Sequence, residues 1–193
     1  MEPTLPTPDR ILHEATRQFA DRGYTGTSLA SIAASLNLTK QALLHHFGSK
    51  AHLHASVLAR VSDRLIHAIT DPTNATPVQR LTTCCDRLSA QALTHPADIQ
   101  LLMQPPADNN AGTMPADPVL RHLMTLVQAL PKWRAMPEPQ ALAIACQLLG
   151  AVVVLAQTTD AARAIVGDAQ IAELRDIWPG ELRRTLAQIL GNG

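Results

Sequence analysis

Apolar residues recur every three to four positions along most of this chain, and the strict alternation that marks a half-buried strand is absent. The pattern predicts an all-α protein. Ile11, Ala15 and Phe19 fall at i, i+4 and i+8 and give the first helix one apolar stripe. Thr7 can cap that helix, and Pro8 suits its first position, where no N–H is needed. Gly23 suits the left-handed residue that ends it. Thr27 or Ser28 can cap a second helix with Leu29, Ile32 and Ala33 on its inner face.

The stretch "LNLTKQALLHHFGSK" carries the next break. Asn37 sits where the chain must turn sharply, and asparagine tolerates left-handed backbone angles. Thr39 can cap a short third helix, with Leu38 before the cap and Leu43 after it spaced as a hydrophobic staple. Leu43 and Phe47 share a face and are expected to point inward. Lys40, Gln41, Leu44 and His45 are left on other faces. Gly48 ends the helix. Ser49 can cap a fourth helix led by Lys50, where backbone N–H groups and the lysine can meet one phosphate. Two short helices joined by a tight turn form a helix-turn-helix, and the second is the right size for a major groove.

The second half is less patterned. Residues 78–93 read as a helix with Leu81, Cys84, Cys85, Leu88 and Leu93 turned partly inward, and a short helix follows over 98–103. "QPPADNNAGTMPADP" reads as a long loop, either functional or mobile. Residues 119–130 make another helix. Residues 141–156, "ALAIACQLLGAVVVLA", are apolar on all sides, too short for a membrane span of about 20 residues, and interrupted by Gln147. Such a helix must be covered on all sides, so a second subunit is expected to supply part of the cover. Residues 179–190 read as a last amphipathic helix with Leu182, Leu186, Ile189 and Leu190 on one side.

Composition changes this picture little. The chain has 193 residues, 46% hydrophobic and 17% charged, with formal net charge +0, as an ordinary globular protein does. Up to Thr70 basic residues exceed acidic ones by two, and six of the eight histidines lie there, a weak pointer to a polyanion. Three cysteines make no disulfide framework, and no charged leader precedes an apolar run, so a cytoplasmic protein is expected. His45, His46, His52 and His54 lack metal-ligand spacing and read as exposed or phosphate-contacting; no metal and no cofactor are expected. Cys84 and Cys85 diverge around a helix and read as small apolar residues, one of them lining a pocket. No serine–histidine–aspartate set, carboxylate pair or glycine-rich phosphate loop supports an enzyme. Cys85, Met103, His122 and Met124 are the candidate contacts for a small effector, hydrophobic or amphipathic because aromatic residues are few.

"ILHEATRQFADRGYTGTSLASIAASLNLTKQALLHHFGSK" resembles the DNA-binding domain of the TetR family of bacterial transcriptional regulators. The matching positions include Phe19-Ala20, Arg22-Gly23-Tyr24, Thr27-Ser28-Leu29, Ile32-Ala33, Leu38-Thr39-Lys40, Ala42-Leu43, His46-Phe47 and Ser49-Lys50. The resemblance implies a DNA-binding domain over 5–65 and an effector-binding and dimerisation domain over 66–193. It implies a homodimer through 141–156 and 179–190 on a palindromic operator, most simply a repressor that a ligand releases. With the exposed helix end it nominates Ser28, Thr39, Lys40, Gln41, Ala42, Leu44, His45, His46 and Lys50 as DNA-binding residues. Asn37 replaces the family's usual turn glycine, Leu44 its phosphate-touching tyrosine, and Ala51 a common acidic residue. A helical ligand carrier or enzyme that keeps the fold is the alternative.

Overall fold

The computed structural model describes residues 8–70, 75–105, 107 and 114–191, without the side chains of 157–164, 166, 175 and 189–191. Thr7, residues 106 and 108–113 of the expected loop, and the side chains of Ile189 and Leu190 lie outside the described residues. Among the described residues every regular element is helical. Two compact units divide the chain: Met1–Asp63 with Gln100–Ala116, and Arg64–Ile99 with Asp117–Gly193.

The first unit is built on α1 (Pro8–Gly26), α2 (Leu29–Ser35), α3 (Lys40–Phe47) and the start of α4 (Lys50–Ile69). Its core is the stripe expected on α1, with Ile11, Ala15 and Phe19 fully buried against Ile32 and Ala33 of α2, Leu43 of α3 and Leu53 and Val57 of α4. Gly23 breaks α1 with φ 67° and ψ 176°, and one more turn carries it to Gly26. Only glycine adopts that positive-φ, extended-ψ backbone without strain. Thr27 is not a cap: it is buried, and its hydroxyl donates to the carbonyls of Gln18 and Gly23, both at 2.9 Å. Ser28 caps α2 instead, and Ser31 returns the bond in a capping box.

In the second unit, α5 (Pro77–Thr94) packs against α7 (Asp117–Gln128), α8 (Glu138–Val166) and α9 (Asp168–Gly191), and α8 also packs against α7 and α9. Leu81, Leu88, Val119, Leu123, Ala145 and Leu149 lie in its core. The short α6 (Pro96–Leu102) is tied to α4 by Arg64, which donates to the nearly buried Asp98 at 2.7 Å. Arg183 of α9 donates to both carboxylate oxygens of Asp86 on α5, at 2.8 and 3.0 Å.

Three expectations change here. Pro179 does not start a helix; it lies inside α9. A proline there forfeits one backbone bond, but Ile171, Leu182 and Leu186 are all buried, and their burial carries the helix through. The apolar helix does not stop at residue 156 but runs to Val166. Counted from Glu138, its first 19 residues are long and apolar enough to cross a bilayer by length and composition, because the polar turn at the start still leaves the window average high. Its place among α5, α7 and α9 makes it the central helix of this unit. Finally, α7 begins at Asp117, so the last two residues of the expected loop are helical.

Candidate nucleic-acid interface

The turn before α3 forms as its residues dictate. Asn37 takes φ 56°, and the Leu38 N–H closes on the Ala33 carbonyl at 2.8 Å. Thr39 caps α3, its hydroxyl accepting from the Ala42 N–H at 3.2 Å. Gly48 ends α3 with φ 71°, and Ser49 accepts from the His52 N–H at 3.1 Å to start α4. A helix of eight residues has little stability of its own. Two caps and one anchor, the fully buried Leu43, hold this one. Phe47, expected to point inward with it, is only half-buried.

What remains on α3 faces out. Thr39, Lys40, Gln41, His45 and His46 are exposed, and Ala42 and Leu44 are half-buried beside them. Ser28 is exposed at the start of α2, where its hydroxyl accepts from the Ser31 N–H at 3.0 Å. Lys50 is half-buried, and its Nζ lies 4.2 Å from the centre of the Tyr24 ring. The nominated residues thus present donors (Lys40, Gln41 and the histidines) from one short, fixed helix. Such a set can meet base edges and phosphates.

Sequence reasoning missed the network that fixes α2 on α1. Gln18 is nearly buried, and its Nε2 donates to Glu14 at 2.7 Å and to the Ser35 hydroxyl at 3.0 Å. The Ser31 hydroxyl lies 2.7 Å from Gln18 Oε1. Arg17 beside Glu14, with smaller help from Gln18, holds the Glu14 carboxyl down at about 2. The signal was present: Gln18 stands seven residues after Ile11 and three after Ala15, on the flank of the apolar stripe.

His54 corrects the histidine reading. His52 is exposed, as expected, but His54 is fully buried between Phe19 and Tyr24. Its position explains this, since it precedes buried Leu58 and Val61 by four and seven residues and so falls on the inner stripe of α4.

The candidate effector contacts are spread over both units. Met103 is 43% exposed and belongs to the first unit. Cys85, His122 and Met124 belong to the second, where Cys85 is buried and the other two are half-buried. Cys84 is buried as well as Cys85, as two small apolar residues on a helix packed against more than one neighbour. Burial pushes both thiols up to about 12, so neither is a reactive thiolate. Burial, with Arg80 adding repulsion, pushes the His122 imidazole down. A separate apolar cleft of about 180 Å³ is lined by Val78, Leu130, Pro131, Lys132 and Trp133, and contains none of the four. Among the described residues no cluster of three metal-ligating side chains occurs.

Comparison with known proteins agrees with this geometry. Residues 11–57 match the profile of the bacterial regulatory proteins of the tetR family. The biofilm operon icaADBC HTH-type negative transcriptional regulator IcaR of Staphylococcus aureus (strain Newman) is 41% identical over 46 residues, 24% of this chain and 25% of IcaR. The chain therefore spans about a quarter of that relative's length. A TetR-like transcriptional regulator from Rhodococcus sp. RHA1 superposes with TM-score 0.68 at 23% identity, over 95% of this chain and 98% of that one. AibR, solved with isovaleryl coenzyme A and operator DNA, superposes with TM-score 0.62 at 22% identity, over 78% of this chain and 85% of its own. Residues 11–57 thus carry the domain of the tetR-family bacterial regulatory proteins, and nearly the whole chain shares the fold of a solved TetR-like regulator.

Proposed function

We propose that the chain is a cytoplasmic transcriptional repressor that binds a palindromic operator as a homodimer and is released by a small hydrophobic or amphipathic effector. The observation that carries this reading is α3, a capped helix anchored by buried Leu43 with Lys40, Gln41, His45 and His46 exposed. IcaR is a negative regulator, and AibR holds operator DNA together with an acyl coenzyme A, which support repression and an effector with an aliphatic part. The test is selection of genomic fragments by the purified chain. A recovered palindrome bound less tightly as salt rises is expected, and no enrichment of any sequence would overturn the reading. Lys50→Ala should flatten the plot of log affinity against log salt by about one unit, as loss of one phosphate contact does. An unchanged slope would remove Lys50 from the contact surface.

The dimer rests on α8. Leu142, Cys146 and Val154 are exposed on one line of α8, with Gly150 completing the four-residue spacing. A Cβ added at Gly150 would meet nothing within 4 Å in this chain. On α9, Leu182 and Leu186 turn into the protomer, so the face left for a second copy carries Ile177 and Gly180 rather than the leucines. Gly150→Arg should fold and run as a monomer on sizing columns, because its guanidinium would be buried unpaired between copies. Wild-type and Gly150→Arg proteins eluting together would place the interface elsewhere.

A further inference from the structure

His54 is a buried titratable group that the DNA contacts do not use. Its ring is fully buried, 4.7 Å from the Phe19 ring and 4.9 Å from the Tyr24 ring, centre to centre. Neither ring nitrogen makes a well-formed hydrogen bond among the described residues, and the Gln104 side chain is the polar group near enough to favour the protonated ring. Tyr24 in turn carries the Lys50 ammonium over its ring at 4.2 Å. The groups facing His54 are Phe19 and Tyr24 from α1, Lys50 from its own helix, and the neutral amide of Gln104 after α6. That amide is fixed, its Nε2 donating to the Phe19 carbonyl at 3.2 Å. Tyr24 therefore contacts both the buried imidazole and a lysine at the start of α4.

We propose that His54 is a proton-sensitive positioning residue for DNA binding: its neutral ring holds Tyr24 beneath Lys50, and a proton taken up there loosens the seat of Lys50 and releases duplex DNA in acid. The inference rests on the DNA-binding reading above and adds a pH response to it. An imidazolium at this site would be a second cation against the ring that already carries Lys50, and a like charge that close disfavours protonation. Burial, with Lys50 adding repulsion, lowers the affinity of the folded ring for protons, and Gln104 opposes this only in part. The folded chain then binds fewer protons than the opened one as pH falls below the imidazole's usual value of about 6.5. The contribution of His54 to the packed state is present above that pH and is lost as pH falls toward the depressed value.

The test uses the full chain and a random-sequence duplex at fixed ionic strength, at about pH 8 and about pH 5.5, a range that brackets imidazole titration. The other histidines are common to wild type and His54→Leu and cancel in the comparison. Wild type should lose roughly threefold or more in affinity relative to His54→Leu on acidification, a fraction of the tenfold change expected per unit of pKa depression. With Lys50→Ala in both backgrounds the difference should vanish, which a merely structural His54 would not predict. Equal pH dependence of wild type and His54→Leu, or a difference that survives Lys50→Ala, would overturn the inference and leave the DNA reading standing. Absence of duplex binding at both pH values would overturn both. Imidazole proton resonances of the wild type give a reading that needs no substitution: a His54 signal with an ordinary histidine midpoint would equally overturn the inference.

Discussion

Replacing Leu43 by alanine should lower the stability of the chain by roughly 2–5 kcal/mol, the range for truncating a buried leucine. Leu43 is fully buried, and it is the one buried residue of α3. The two caps at Thr39 and Gly48 satisfy backbone groups but do not press the helix onto the core. Without the leucine, α3 keeps its ends and loses its attachment. DNA binding should therefore fall further than global stability alone implies, since the exposed residues of α3 must stay fixed to reach base edges. Leu43→Met, which conserves volume, should cost less than about 1.5 kcal/mol. Urea denaturation of the three proteins measures the loss. A Leu43→Ala midpoint within error of wild type would show that α3 is held by something other than this side chain.

The sequence was most legible where local chemistry decides. Asn37, Thr39 and Gly48 each have one task that few residue types perform, and each does it in the structure. The stripe of Ile11, Ala15 and Phe19 was legible for the same reason, whereas sequence alone leaves the cap of α2 between Thr27 and Ser28 and the structure gives it to Ser28. Positions whose role comes from a distant neighbour were not. Tyr24 follows the break at Gly23, so no helical period places it, and its partners His54 and Lys50 lie one helix-turn-helix away in the chain. Pro179 shows the opposite failure, where a strong local signal gave way to burial of Ile171 before it and Leu182 and Leu186 after it. Effector contacts were least legible, because a pocket is defined by which helices meet, and an apolar residue reads the same whether it lines one or fills one. Met103 and Cys85 fall in different units for that reason.

Gln41→Ala should lose about 1–3 kcal/mol at one base-pair position and little on random duplex. Gln41 is exposed on the first turn of α3, two residues after the cap, and a glutamine amide can pair with both the N6 and N7 edges of adenine. Leu44 should behave in the opposite way. It is half-buried on the same helix, and leucine has no group to donate to a phosphate. Leu44→Tyr would add such a hydroxyl beside the exposed face. A phosphate contact positions the protein and carries no base information, so Leu44→Tyr should tighten specific and random duplexes by similar factors. The gain should be about 1 kcal/mol, since a hydrogen bond to a charged acceptor gives roughly 1.5–3 and ordering the ring takes some back. Competition of both variants between specific and scrambled duplexes at one salt concentration separates the two roles. Gln41→Ala must change the ratio and Leu44→Tyr must leave it unchanged. If Leu44→Tyr shifts the ratio instead, Leu44 packs against a base, with the thymine methyl the apolar group on offer in a major groove.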